Sequence, residues 1–340
     1  GSGGGAAARR SACGGSLGPA WEADFTAAAI IGRMERLPVG VVVVNWDGGA
    51  LLDSCLDALA GQGAARVLVV DNGSEPEELR RLGARDGVDL LPLGENRGFA
   101  PASNAGAADP RLRPLPYVAF VNNDAVLAPG YLAACLAALE ADPGLSAVQG
   151  VVLDGEGRLV DGLGIAWNRR CEAVQVGHGD PPPAPDALPI PVAGVSGTAA
   201  LFRRTAFEGA GGFAASFFAW YEDADLSLRL LRAGGRFACV PAARARHVGS
   251  ATGRRTPELK WRLLLGNRAR TLRRSLTPRA RLRALLRHAA PLPALRDALR
   301  ELGPFRAAAA VVRAVLRVAA GAAEDRAAHR SLPLLPELPR

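Results

Sequence analysis

A continuous apolar run at Val39–Val44, made mostly of valine, constrains the fold of this chain more than any other feature. Such a β-branched run is typical of a strand buried on both faces, as in a parallel sheet covered by helices. Similar strands are predicted at Arg66–Val70, Val88–Leu93, Tyr117–Val121, Ala147–Leu153, Gly197–Phe202 and Phe237–Val240. Helical patterns are predicted at Leu51–Ala60, Glu75–Leu82, Phe99–Ala108, Tyr131–Glu140 and Glu222–Arg232. The alternation predicts right-handed βαβ units and an α/β fold with a mostly parallel central sheet flanked by helices.

Polar residues follow three of these strands at the point where each strand ends. Asn45 follows the first strand, Asp71 the second and Asp124 the fourth. Ligands of parallel α/β sheets bind beyond the carboxyl ends of the strands. The three residues therefore predict a ligand site at one edge of the sheet.

Two acidic motifs about a hundred residues apart predict the chemistry of that site. Asn122-Asn123-Asp124 offers oxygen ligands for a hard divalent cation such as Mg²⁺ or Mn²⁺. Glu222-Asp223-Ala224-Asp225 begins a helix after the aromatic run Phe217–Tyr221, which could form a sugar-stacking wall, and one of its carboxylates could act as a general base. His247 could complete a divalent site. The alternatives are a turn at the first motif, helix capping at the second and a structural histidine.

Charge is distributed unevenly along the 340 residues. Residues 254–340 hold 20 basic and 6 acidic side chains, whereas residues 1–253 hold 21 and 27. A basic C-terminal region favours an anionic partner, although arginines on solvated helix faces are equally consistent with the pattern. The five cysteines include no CxxC pair and are interpreted as free thiols of a reducing compartment. The sequence contains no run of 18 apolar residues without a charge, so no membrane-spanning helix is predicted.

The motifs of several other enzyme classes are missing from the sequence. No G-x-G-x-x-G follows the first strand, and no phosphate-binding G-x-x-x-x-G-K or G-x-S-x-G nucleophile turn occurs. No Cys/His cluster has the spacing of a zinc site. These absences argue against a dinucleotide-dependent oxidoreductase, a P-loop enzyme and an α/β-hydrolase.

Taken in order, the motifs resemble the inverting family 2 glycosyltransferases of GT-A fold, in particular their rhamnosyltransferase-like and galactofuranosyltransferase-like bacterial branch. The resemblance covers roughly residues 38–275. The matching segments are Val41–Trp46, Val69–Ser74, Asn96–Ala100 with Asn104, Phe120–Asp124, Gly194–Thr198, Gly211–Phe213, Glu222–Leu226 with Arg229, and His247 with Gly249 and Ser250. Each segment is short, and the specificity lies in the ordered set. Gly266-Asn267-Arg268 stands where relatives often carry Arg-Asn, and its role is left open.

The resemblance implies a role for each matching residue. Asp223 is implied as the base that deprotonates the acceptor, with Glu222 beside it binding a sugar. The metal site is implied at Asp124 and His247, with Asn122 in place of the first acid of a D-x-D motif. Asp71 is implied to contact the nucleotide. The remaining candidates are Asn45, Asn96, Gly98, Asn104 and Asn123 for the nucleotide sugar, and Trp220, Tyr221 and Gly197 for the acceptor.

The predicted organisation has four parts. Residues 1–37 are a flexible leader, 38–255 a GT-A catalytic domain with nucleotide-binding (38–125) and acceptor-binding (126–255) halves, 256–330 a basic helical extension, and 331–340 a loose tail. The predicted activity is inverting transfer from a nucleotide-diphosphate sugar, with dTDP-rhamnose the first candidate, to a glycan or lipid-linked acceptor.

We expect a cytoplasmic, metal-dependent enzyme that does not bind nucleic acid and that could form homo-oligomers. Arg306, Arg313 and Arg317 lie on one face of a predicted helix, whose apolar face either packs on the catalytic domain or a second subunit, the slightly favoured alternative, or lies on an anionic membrane surface. A nucleotidyltransferase with a related sheet and a protein that binds anionic polymers through its basic tail are the rival functions. The first strand is followed by Asn45–Gly49, which lacks the basic loop expected of the former.

Overall fold

The computed structural model describes residues 36–249, 255–280, 282, 293–320 and 335. The predicted leader therefore lies outside the described residues, apart from Arg36 and Leu37. The strands are β1 Leu37–Asn45, β2 Ala64–Asp71, β3 Asp89–Pro92, β4 Tyr117–Asn122, β5 Ala125–Leu127, β6 Leu145–Leu153, β7 Val160–Gly162, β8 Ile165–Trp167, β9 Ala173–Gln175, β10 Ile190–Val192, β11 Ala199–Arg203 and β12 Arg236–His247. The helices are α1 Ala50–Ala60, α2 Pro76–Gly83, α3 Phe99–Ala108, α4 Tyr131–Ala141, α5 Arg204–Gly209, α6 Glu222–Arg232, α7 Pro257–Ser275, α8 Pro293–Leu302 and α9 Pro304–Ala320.

One mixed sheet forms the centre of the molecule, with strand order β10-β12-β6-β11-β4-β1-β2-β3. The pairs β1–β2, β1–β4, β2–β3 and β12–β6 are parallel, and β11 runs antiparallel between β4 and β6. The six strands β1, β2, β3, β4, β6 and β12 consequently run in one direction. The mostly parallel sheet predicted from the sequence is confirmed.

Helices cover both faces of this sheet. Successive residues of a strand point to opposite faces, so alternate residues enter different cores. Val41 and Val43 of β1 lie in one core with α1 and α4, whereas Val42 lies in the other core with α3, α5 and α6. Four phenylalanines pack together in the second core, at residues 120, 202, 207 and 213, edge to face except for the tilted pair of Phe120 and Phe207. Continuous burial on both faces explains why β1 reads as an uninterrupted apolar run.

The largest departure from the predicted elements concerns β12. The short strand expected at Phe237–Val240 is wrong, because β12 runs for 12 residues to His247. Its register shifts between Val240 and Arg244, after which it pairs with β6 again and with β5. The pairing of His247 with Ala125 brings the end of β12 next to the end of β4. The segment Ala243-Arg-Ala-Arg conceals this second half, since its alternating arginines do not resemble a buried strand.

The C-terminal helices pack against one another, and α7 connects them to α6 through the ion pair of Arg274 with Asp225. Trp261 of α7 forms a small core with Ala298 and Leu302 of α8 and with Ala307 and Ala310 of α9. Leu335, the only described residue of the final ten, pairs with Leu276. Among the helices in the described ranges, none combines the length and apolar composition needed to cross a membrane.

Candidate active site

A cleft of about 480 Å³ opens at the carboxyl edge of the sheet. Three parts of the chain surround it: the ends of β1 and β4, the β8–β9 hairpin, and the loop before α6. The lining includes Trp46, Asn72, Asn96, Gly98, Phe99, Asn122, Asn123, Asp124, Asp161, Ala173, Gln175, Gly197, Phe218, Trp220, Tyr221, Glu222, Asp223 and His247. Both acidic motifs therefore face one cavity, although about a hundred residues separate them in sequence.

Asp124 and His247 lie side by side on the wall of this cleft. His247 Nε2 is 3.2 Å from an Asp124 carboxylate oxygen, and His247 Nδ1 is 2.9 Å from Asp161. Burial opposes protonation of the imidazole, but the hydrogen bonds and charges of Asp124 and Asp161 outweigh it and raise the pKa of His247 to about 9. Within the described ranges, no cluster of three or more His, Cys, Asp or Glu side chains is arranged to hold a metal ion. The Asp124–His247 pair is therefore the candidate for a cation, with Asp161 orienting the imidazole.

Asp161 is a site residue that the sequence did not indicate. It lies on β7, a three-residue strand in the irregular region before Pro181. A single aspartate in a segment without periodicity carries no recognisable signal. Only the antiparallel pairing of β7 with β6 brings it to His247.

The asparagines after β4 face the cleft in different ways. Asn123 donates through Nδ2 to Asn45 Oδ1 at 3.0 Å, so its side chain links β4 to β1. The Asn122 side chain lines the cleft and makes no hydrogen bond within the described part of the chain. Asn122 is thus the residue of this motif that is available to a ligand beside Asp124.

Asn45 and Asp71 lie next to the cleft without lining it. Asn45 is fully buried and bonds to Glu78, to the Gly48 backbone N–H and to Asn123. Asp71 is fully buried as well, and its Oδ2 accepts the backbone N–H groups of Gly73 and Ser74 at 3.2 and 3.1 Å. In this structure both side chains therefore bond to the loops behind the site.

The loop at Asn96 and Gly98 forms the opposite rim of the cleft. Asn72, which the sequence did not single out, donates to Asn96 Oδ1 at 3.0 Å and accepts from the Arg97 backbone at 2.9 Å. Asn104 lies outside the lining, because its amide bonds to both backbone groups of Phe213 at 2.7 and 2.9 Å. The structure therefore brings Asn96 and Gly98 to the cleft but not Asn104.

Glu222 and Asp223 begin α6 at the floor of the cleft. Asp223 accepts from the backbone N–H of Gly197 at 3.1 Å and of Ala224 at 2.7 Å. Burial raises the pKa of Asp223 more than these N–H groups lower it. Glu222 is 6% exposed, and its Oε2 has no partner among the described residues. Burial first, and then the charges of Asp223 and Asp225, raise the pKa of Glu222 well above its ordinary value. Two carboxyl groups that hold protons more tightly than usual suit proton transfer.

Asp225 has a structural role instead. It is fully buried between Arg229 at 2.8 Å and Arg274 of α7 at 2.9 Å. Both of its carboxylate oxygens are bonded to these arginines, so Asp225 does not cap α6. The acids of one helical turn therefore divide between the cleft and the α6–α7 interface.

The aromatic run before α6 contributes only part of the expected wall. Phe218, Trp220 and Tyr221 line the cleft, whereas Phe217 is fully buried beneath Arg270 of α7. Tyr221 packs beside Trp167, with ring centroids 6.3 Å apart, and burial raises its pKa to about 12. The acceptor-side candidates Trp220, Tyr221 and Gly197 all reach the cleft.

The charge of the cleft is one-sided. Four carboxylic acids line it, at Asp124, Asp161, Glu222 and Asp223, together with the imidazole of His247. Among the described residues of the lining there is no lysine or arginine. Among the described lining residues, only the imidazole of His247, whose pKa is raised to about 9, offers positive charge to an anionic ligand.

Three comparisons show which known proteins this chain is similar to. The sequence profile described as Glycosyl transferase family 2 matches residues 40–211. N-acetylglucosaminyl-diphospho-decaprenol L-rhamnosyltransferase of Mycobacterium tuberculosis, in strains CDC 1551 / Oshkosh and ATCC 25618 / H37Rv, is 31% identical over 63% of this chain and 77% of its own length. The crystal structure of GalNAc-T7 with UDP, GalNAc and Mn²⁺ is similar, with a TM-score of 0.54 and 16% identity over 77% of this chain. The match spans 54% of that structure, so this likeness concerns the fold alone.

Proposed function

Because the chain belongs to glycosyl transferase family 2, we propose that it transfers a sugar from a nucleotide-diphosphate sugar to the hydroxyl of an acceptor, with inversion at the anomeric carbon. The observation that carries the proposal is a cleft lined by both Asp223 and the Asp124–His247 pair. dTDP-rhamnose is the first donor to test and a lipid-linked glycan the first acceptor, since the mycobacterial relative is named for a rhamnosyl transfer to a decaprenol diphosphate. Membership of this family argues against the nucleotidyltransferase alternative.

A divalent cation fits the residues at the end of β4. A carboxylate and an imidazole held 3.2 Å apart are a donor set that Mn²⁺ or Mg²⁺ accepts. Asp124 and His247 would hold the ion, Asn122 offers a further oxygen, and Asp161 keeps the imidazole oriented through Nδ1. When bound, the cation supplies positive charge that stabilises the departing diphosphate. The acidic lining supports this assignment, because a cation would offset the repulsion between the four carboxylic acids and the diphosphate.

The chemistry assigned to the protein is proton removal and orientation. Asp223 takes the proton of the acceptor hydroxyl while that oxygen bonds to the anomeric carbon and the bond to the diphosphate breaks. The backbone N–H groups of Gly197 and Ala224 hold the Asp223 carboxylate in place. Glu222, buried beside it, contacts a sugar hydroxyl. Asn96 and Gly98 on the opposite rim contact the nucleotide.

Donor screening tests this function directly. Purified protein is incubated with a panel of nucleotide sugars, with Mn²⁺ or with chelator, and the release of nucleoside diphosphate is measured. We expect metal-dependent release from at least one donor, faster when a matching acceptor is added. Lack of release or transfer with every donor and metal would contradict the proposal.

The surface of α9 revises the basis for membrane association. Arg306 and Arg313 pair with Glu258 of α7, and Arg317 bonds to the backbone of Ser216. The expected arginine face is therefore turned partly towards α7 and Ser216. Small alanines of α9 make the packing contacts. The large apolar side chains are exposed instead, at Phe305 (88%), Val312 (59%), Val315 (61%) and Leu316 (63%). We propose that this stripe rests on the inner face of the cytoplasmic membrane, near a lipid-linked acceptor.

Vesicle co-sedimentation tests the membrane contact. Wild-type protein should pellet with anionic liposomes, and the double variant Phe305→Ser, Leu316→Ser should remain in the supernatant. Leu188→Ser is the control, since Leu188 is 84% exposed outside this helix. Equal pelleting of the wild type and the double variant would contradict the contact, and dimers in the wild type alone would assign the stripe to a second copy.

A further inference from the structure

Asn267 of α7 lies directly behind the aromatic loop of the cleft. Its side chain is fully buried, and Nδ2 lies 2.8, 2.9 and 2.8 Å from the carbonyl oxygens of Phe217, Ala219 and Trp220. An amide has two N–H hydrogens, so three carbonyls share them. Oδ1 has no partner within the described residues, which means that donation to the loop accounts for all of the side chain's hydrogen bonding. One buried side chain thus binds three carbonyls of a single short loop.

The loop that Asn267 holds has an unusual backbone. Phe218, Trp220 and Tyr221 have φ values of 67°, 63° and 71°, although none of them is glycine. The Ala219 N–H donates to the Phe217 carbonyl at 2.9 Å, which makes a γ-turn with Phe218 at its centre. Such conformations persist only when the surroundings enforce them. The carbonyl groups of Phe217, Ala219 and Trp220 point towards α7, where the Asn267 side chain donates to them. The Phe218 carbonyl instead accepts the backbone N–H of Ala100, in the first turn of α3, at 3.0 Å.

Neighbouring residues of α7 hold other parts of the same region. Arg270 donates to the carbonyl and the hydroxyl of Ser216 at 3.1 and 2.8 Å. Arg268 donates to the Cys171 carbonyl at 3.2 Å and pairs with Glu172 at 3.3 Å in the turn of the β8–β9 hairpin. That hairpin carries another wall of the cleft. One helix outside the segment matched by the family profile therefore holds two walls of the site.

We propose that Asn267 is a positioning residue for the acceptor side of the cleft. By holding the loop at Phe217–Tyr221, it makes α6 begin at Glu222 and directs Trp220, Tyr221 and Asp223 into the cavity. The donor side is built from β1, β4 and the Asn96 loop, which Asn267 does not touch. The proposal rests on the proposed transfer reaction, but the conformation of the loop can be measured without it.

The experiment replaces Asn267 with leucine, which has a similar shape and no donor. Hydrogen exchange should be at least about tenfold faster at the backbone amides of residues 217–223 and unchanged in β1, β2 and β4. Transfer at saturating donor should fall at least tenfold, whereas the affinity for the nucleotide diphosphate in Mn²⁺ should stay within about twofold of wild type. Asn267→Ser keeps one hydrogen-bond donor and should lose less exchange protection and less transfer than Asn267→Leu. It replaces the leucine variant in the experiment if that variant does not fold.

Gln62→Met is the matched control. Gln62 is also a buried amide, 5% exposed, and it bonds to the Ala128 carbonyl and the Leu132 N–H away from the cleft. We expect this variant to melt earlier while transfer and exchange at residues 217–223 stay as in wild type. Wild-type exchange and transfer in Asn267→Leu would overturn the proposal, as would losses of transfer that follow the melting temperature equally in both variants. A wild-type protein inactive with every donor would refute the transfer reaction, and the exchange rates would still decide whether Asn267 holds the loop.

Discussion

The donor and acceptor sides of the cleft are built in opposite ways. On the donor side, Asn45, Asp71 and Asn123 are bonded to loops that directly follow β1, β2 and β4, and these strands are adjacent in the sheet. On the acceptor side, the loop before α6 has positive φ values at three bulky residues and is held by α7, about 50 residues later. The first side is built at the ends of adjacent strands, whereas the second depends on a helix that follows much later in the chain.

This difference places the two acids of α6 under contrasting constraints. Asp223 faces the cleft with two backbone N–H partners, and Asp225 faces two arginines in the interior. Function and stability should therefore separate between residues only two positions apart. The four predictions below test that separation and the contrast between the two sides.

The largest effect is expected at Asp223. Asp223→Asn keeps the shape but cannot accept a proton, so transfer should fall by about 10²–10⁴-fold. Nucleotide binding and the free energy of unfolding should change little. Single-turnover rates and donor calorimetry provide the measurement, with Asp142→Asn, which alters an exposed ion pair to Arg236, as the control. Retention of more than a tenth of the wild-type rate would exclude Asp223 as the base.

Asp225→Asn should have the reverse profile. Removing the carboxylate between Arg229 and Arg274 leaves buried positive charge uncompensated, which costs about 3–5 kcal/mol of unfolding free energy. Urea denaturation at neutral pH measures this cost. Asp223→Asn is the comparison in the same experiment, with an expected change below about 1 kcal/mol. Similar stabilities of the two variants would show that the acids do not divide in this way.

The donor side should depend on the cation. Asp124→Ala and His247→Ala should each weaken nucleotide-sugar binding at least about tenfold in Mn²⁺, because both remove a donor atom from the proposed ion. In chelator, the variants and the wild type should bind equally weakly. Asp180→Ala, at an exposed position, is the control. Wild-type binding that does not respond to chelator would remove the metal assignment from both residues.

The smallest effect concerns pH and Glu222. Burial raises the pKa of Glu222 above the 4.5 of an ordinary glutamate, so the folded protein retains this proton at pH values where the unfolded chain has lost it. Wild-type stability should consequently decline as pH rises above about 4.5. Glu222→Gln removes this loss, so its free energy of unfolding should exceed that of the wild type at pH 8, with no difference at pH 4. Thermal melts across this range measure it, and a constant difference at all pH values would contradict the argument.

The sequence by itself determined the main helices, the parallel strands up to β6 and the sheet edge at which the site lies. The predicted bounds of Phe99–Ala108 and Glu222–Arg232 agree with α3 and α6, and the ends of β1, β2 and β4 lie together as expected. These features were readable because periodicity and strand ends are local properties of the chain. The motif order identified the family for the same reason, since each motif is a short contiguous segment.

The tertiary structure decided which side chains meet. Asp161 and His247 are 86 residues apart in the chain, and they meet only because β7 and the second half of β12 bring them together. Asp225 turned to the interior and Asn104 to the Phe213 backbone, although nothing in their local sequence separates them from cleft residues. Asn267 met the aromatic loop because α7 packs there. Contacts of this kind depend on antiparallel pairing, bulges and helix packing, which bring together residues whose own neighbourhoods in sequence carry no record of the partner.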